Sequence, residues 1–186
     1  MSFAPVALRD RLAATPGLTL HPALPEATVA DLERRHGVTL PASYRRFLTE
    51  VAGGVDSDSV PLLGPDLALT TLTGAPGGVF PYDAAYAADL VARLAAVPAT
   101  RFLDVMSAPA VQAGQHEGDP PGCIALADFG CGDYSVLVLT GPEAGKLWRI
   151  GDFDAPETAA LYQPGAAGGQ LEFDSWLPHW CELVGA

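Results

Sequence analysis

A chain of 186 residues, 49% hydrophobic and 17% charged, is long enough for one domain with its own core and too apolar for a disordered polymer. Its 22 acidic against 10 basic side chains give a net charge of −12, which excludes a nucleic-acid binder working by counterion release and a protein drawn to anionic lipid. No stretch approaches the roughly 20 apolar residues of a membrane helix, and Arg9, Asp10 and Arg11 occupy the place of a signal-peptide apolar run; the expectation is a soluble, cytoplasmic protein.

Helices come first along the chain. Residues 4–14 place Val6, Leu8 and Leu12 among helix-forming Ala and Arg and stop at Pro16-Gly17. Leu18-Thr19-Leu20 reads as a short extended piece. A helix over 28–36 follows, with Thr28 as N-cap, Asp31 three residues on, and Gly37 as the left-handed stop. Leu40-Pro41 starts a second helix over 42–52, where Tyr44, Phe47, Leu48 and Val51 recur at i, i+3, i+4, i+7. Gly53-Gly54 ends it.

Residues 55–81, rich in Gly, Pro, Asp and Thr, read as loops with one or two short strands. Asp83 caps a further amphipathic helix over 83–97, with Tyr86, Leu90, Leu94 and Val97 on one side. Residues 107–122 read as a mobile loop.

The period then changes from 3.6 to 2. Strands are expected at 123–127, 134–140 and 146–150, joined by tight turns as an antiparallel meander. Residues 173–184 close the sequence as a helix. With no internal repeat and no long linker, the economical reading of residues 1–186 is a single α+β domain, a mainly antiparallel sheet with helices packed on one side. Leu32, Tyr44, Phe47, Leu48, Val136, Val138 and Ile150 are its expected core.

Chemical motifs are thin. Cys123, Cys131 and Cys181 lack any CxxC spacing, so reduced thiols are expected rather than a disulfide framework or a zinc site. His179 and Cys181 stand two apart on a helix and point to different faces, which suits neither a nucleophile–base pair nor two ligands of one metal. Gly130-x-Gly132-Asp133 runs into a strand and reads as a tight connection. Gly141-x-x-x-Gly145-Lys146 is one residue short of a phosphate loop and lacks the following Ser/Thr. No catalytic residue, metal or cofactor is expected. The absence of Asn, the single Lys146 and nine Arg resemble the coding bias of a GC-rich, bacterial genome.

Glu33, Gly37, Leu40-Pro41, Tyr44, Phe47-Leu48 and Gly53-Gly54, in that order and spacing, resemble the opening signature of the SUKH superfamily of fungal cell-wall synthesis regulators and bacterial immunity proteins. The run Ile124–Leu139 resembles the family's strand, glycine-rich turn with Asp, and second strand. Leu147–Asp154 resembles the next strand and Ser175-Trp176-Leu177 the final helix. Ala52 stands where the family usually has Asn, and residues 55–122 carry none of these motifs.

The resemblance implies a non-enzymatic binding protein, foremost an immunity protein that covers the basic active site of a cognate toxin such as a nuclease. The alternatives are a regulatory or scaffold module of the same fold without a toxin and, from the residues alone, a hydrolase using Asp128 with Asp133 or Asp152 with Asp154. The acidic charge taken alone reads first as a device for solubility, and it also suits a basic partner. The first 50 residues carry six Arg and five acids, whereas residues 151–186 carry six acids and no Lys or Arg. Acids beside aromatics are a fitting rim for a basic protein partner. The candidate contact residues are Asp133, Tyr134, Trp148, Asp152, Phe153 and Asp154, with Tyr134, Trp148, Phe153 and Trp176 expected to be exposed.

Overall fold

The computed structural model describes residues 3–96, 116–151, 155–156 and 171–186. Among the described residues, six helices and two antiparallel sheets make an α+β fold. Helix α1 (Pro5–Ala14) buries Leu8 and Leu12 and leaves Val6 in solvent. Strand β1 (Leu18–Leu20) pairs antiparallel with β2 (Val55–Ser57).

Between them stand α2 (Glu26–His36) and α3 (Ala42–Glu50). The first begins two residues before the expected start. Pro25 takes the N-cap position, and the Thr28 amide donates to the Pro25 carbonyl at 2.9 Å. Thr28 is therefore inside the helix, and Asp31 pairs with Arg34 and Arg35 instead of completing a cap. Gly37, at φ +65°, is the left-handed stop. Glu33 then ties the turn together: one oxygen accepts the Leu40 amide at 2.8 Å and the other pairs with Arg45, which also pairs with Glu26.

The glycine pair answers a packing need. A Cβ on Gly53 would lie 2.8 Å from the Pro22 carbonyl oxygen, and Gly54 combines φ +149° with a Cβ site 2.9 Å from the Gly64 amide nitrogen. Three strands of backbone converge there with no room for a side chain.

Residues 61–63 join the two sheets. Leu62 exchanges both backbone hydrogen bonds with Val55 (2.8 and 2.9 Å), while the Leu63 amide donates to Leu126 (2.7 Å) and the Asp128 amide to Pro61 (3.3 Å). Helix α4 (Pro65–Thr70) follows, a six-residue element within the segment read as loop; it buries Ala68 and Leu69. Helix α5 (Ala84–Ala96) begins after Asp83, whose carboxylate accepts the Tyr86 amide at 2.8 Å as an N-cap should. Val97 lies outside the described residues.

The meander appears as expected: β3 (Cys123–Asp128), β4 (Tyr134–Val138), β5 (Leu147–Ile150) and the short β6 (Ala155–Pro156), each antiparallel to the next. A bulge between Ala125 and Ala127 sets both Leu126 and Ala127 against the same core. Helix α6 (Phe173–Leu183) closes the chain with Pro178 inside it.

The sheet is buried on both faces. Ile124, Leu126, Leu137 and Leu147 face α1, α2, α3 and α6, where the Phe173 ring meets Tyr44 edge-on at 5.3 Å and Phe47 at 5.7 Å. Cys123, Ala125, Val136, Val138, Trp148 and Ile150 face the other way, under Leu72, Phe80, Tyr82 and Ala87. That second cover, which includes the first turn of α5, was not foreseen. All seven expected core residues are buried, and each large apolar side chain contributes about 1.5–3 kcal/mol.

Candidate functional site

The β3–β4 turn and the start of the β5–β6 turn meet at one end of the sheet. Asp128 closes the first of them by accepting the Gly130 amide at 2.7 Å. The Phe129 amide donates to the Asp133 carbonyl at 2.9 Å and the Asp133 amide to the Gly130 carbonyl at 3.0 Å. Gly130, Cys131 and Gly132 all take positive φ, with Cys131 exposed at the tip. Gly151 presses against this turn: a Cβ there would sit 2.8 Å from both the Asp133 Cα and the Gly132 carbonyl oxygen.

Asp133 is not a free rim charge. The Arg149 guanidinium grips it through both carboxylate oxygens and lies 3.4 Å above the Phe129 ring centroid. Both groups are largely covered, so a partner approaching here meets a neutralised pair. Asp128 and Asp133 thus both serve the turn, and of the two only Asp133 is paired with an arginine.

Trp148 is fully buried, against the expectation of an exposed anchor. It stacks on Tyr82 (5.1 Å between centroids, 17° between planes) and meets Phe80 edge-on at 5.3 Å. Trp176 is buried as well, on the helical side. The alternation of β5 put Trp148 and Ile150 on one face correctly, but that face is covered by residues 72–87 and is not open to solvent. Asp152, Phe153 and Asp154 lie outside the described residues.

Tyr134 is half-buried at the same end of the sheet. Its hydroxyl is held above its ordinary pKa by burial first, then by the negative charges of Asp128 and Asp119. Asp119 comes from the segment read as a mobile loop, yet residues 119–122 are tied down. Its carboxylate accepts the Thr73 amide (2.8 Å) and hydroxyl (2.9 Å), the Gly122 amide donates to Ala75 (2.9 Å), and the Leu139 amide donates to Gly122 (2.7 Å). Neither Asp119 nor Asp128 has a cationic partner among the described residues. The sequence near Asp119 (Asp-Pro-Pro-Gly) signalled a turn but carried no sign that it would come beside Tyr134.

The remaining motifs resolve structurally. Lys146 pairs with the buried Glu143 at 3.0 Å within a turn, His179 is exposed while Cys181 is buried, and the three cysteines are free thiols. Among the described residues no cluster of His, Cys, Asp and Glu could hold a metal ion, and no helix is long and apolar enough to cross a membrane.

Neither curated proteins nor solved structures give a match to the chain. A family model described as SMI1/KNR4 (SUKH-1) matches residues 23–163, and so runs through the segment 55–122 that carries no recognisable motif. It covers the Glu33–Arg45 clasp, the converging glycine pair and the whole meander, and on that match the chain belongs to the SMI1/KNR4 family (SUKH-1).

Proposed function

We propose that this protein is a non-enzymatic binding domain, an immunity protein that neutralises a cognate toxin by docking an acidic surface over the toxin's basic active site. The observation that carries the reading is Tyr134, a half-exposed aromatic flanked by Asp119 and Asp128, neither of which is neutralised by a neighbouring cation. An aromatic anchor within uncompensated charge is the pattern of an interface centre. The net charge of −12 adds long-range attraction for a basic partner. Family membership supports a binding role over catalysis.

The test begins with the protein encoded beside this one and measures its binding by surface plasmon resonance. Asp119→Asn with Asp128→Asn keeps the oxygen that each turn needs and removes the charge. The pair should slow association and flatten its salt dependence with little effect on dissociation, whereas Tyr134→Ala should speed dissociation. Unchanged rates in both variants would place the interface elsewhere. No binding of the neighbour at all would leave the regulatory module without a toxin as the better reading.

A further inference from the structure

Two cations stand apart in this acidic chain. Every other described arginine, and Lys146, has a carboxylate within ion-pair distance; Arg9 and Arg11 of α1 have none among the described residues. Arg11 borders a solvent-open groove of about 310 Å³ between α1 and α6. Phe3, Ala4, Ala7 and Leu8 form one wall, and Leu177 and Pro178 the other. Ala4 and Ala7 leave the space that larger side chains would fill.

Arg11 reaches the sulfur of Cys181, the groove's remaining lining residue. Burial raises the pKa of that thiol despite the arginine, so at neutral pH it is uncharged and does not neutralise the guanidinium. Both helices lie outside the residues 23–163 matched by the family model. The groove belongs to the flanks of this chain and not to the shared family segment.

We propose that the α1–α6 groove binds a medium-chain alkyl monocarboxylate, its head on Arg11 and its chain along the apolar walls. The guanidinium fork matches a carboxylate in a two-point contact. A single lining cation balances a single negative charge, and the acidic field of the whole chain disfavours a dianion such as a phosphate monoester. The volume sits at the lower end of small-molecule sites, which run from about 300 to 1,000 Å³. The site is independent of the Tyr134 surface.

Isothermal titration of the whole protein with decanoate, below its micelle concentration, tests this. A single saturable site is expected. Arg11→Gln should weaken decanoate about tenfold or more, the scale of a charge-assisted hydrogen bond, while leaving the weaker binding of decanol unchanged. Ala7→Trp, at an exposed position, should fill the groove and abolish binding with the circular dichroism spectrum intact. Absence of saturable decanoate binding overturns the proposal, as does wild-type affinity in Arg11→Gln or retained binding in Ala7→Trp.

Discussion

Glu33, the acid of the family signature, is accounted for by structure alone, and two substitutions test that account. One carboxylate oxygen is the acceptor for the part-buried Leu40 amide at 2.8 Å, and the other pairs with Arg45. Glu33→Ala removes both. A stranded amide costs about 1–3 kcal/mol, and the ion pair adds roughly 0.5–1 kcal/mol. The second figure stays small because Arg45 is 25% exposed and keeps Glu26 as a second partner. The total is about 1.5–4 kcal/mol. Glu33→Gln retains an oxygen for Leu40 and loses only the charge, for a cost below about 1 kcal/mol. Urea unfolding followed by tryptophan fluorescence should therefore separate the two midpoints at unchanged slope, with a thermal midpoint shifted by about 2–4 °C per kcal/mol. Equal losses in the two variants would show that charge, and not the amide acceptor, is what matters. Wild-type stability in both would refute the structural account of Glu33.

Phe47→Ala should lower stability by about 3–5 kcal/mol in the same assay, because the ring is fully buried against Phe3 and Phe173. Tyr44 has no hydrogen-bond partner for its buried hydroxyl among the described residues, so Tyr44→Phe should leave stability unchanged or raise it by about 1 kcal/mol. Burial pushes that hydroxyl far above its ordinary pKa of 10.0. The native state therefore keeps a proton the unfolded chain loses, and stability falls as pH rises above 10; denaturant midpoints taken at alkaline pH should show a shallower fall in Tyr44→Phe. Gly54→Ala, where a Cβ would strike backbone, should destabilise more than Gly130→Ala, which has a positive φ but open space around it; comparing the two thermal midpoints checks the packing argument against backbone conformation alone.

Much of the fold was legible because its strongest signals are periodic and local. The stripe from Tyr44 to Val51 could only be a core-facing helix, and the β3–β5 boundaries lie within two residues of those expected. Glu33, Gly37 and the glycine pair were read as a signature, and the structure supplies a bond or a close contact for each. The candidate site was less legible. Whether a sheet face is wet depends on what lies over it, and the cover of Trp148 comes from residues some 65 positions earlier. The fate of Asp133 was decided by a cross-strand arginine. Helix α4, at six residues, is too short to show a period. The charge of Asp119 acts on the Tyr134 hydroxyl from a segment that backbone bonds at residues 75 and 139 hold in place, and nothing in the local sequence encodes that.

The sheet is spliced by a segment only three residues long. Four backbone hydrogen bonds around Pro61–Leu63 carry the connection from the β1–β2 ladder to the meander, while β3 and β4 alone share an extended register of five residue pairs. Strain or heat therefore concentrates at the splice, and the molecule has a natural parting line there. The amides of Leu62 and Leu63 become reporters of a partial opening in which the β1–β2 ladder lifts while the meander stays closed. Because the Trp180 indole donates to Val60 at 3.0 Å, α6 latches the same seam, and the last helix of the chain sets how often its first strands come loose.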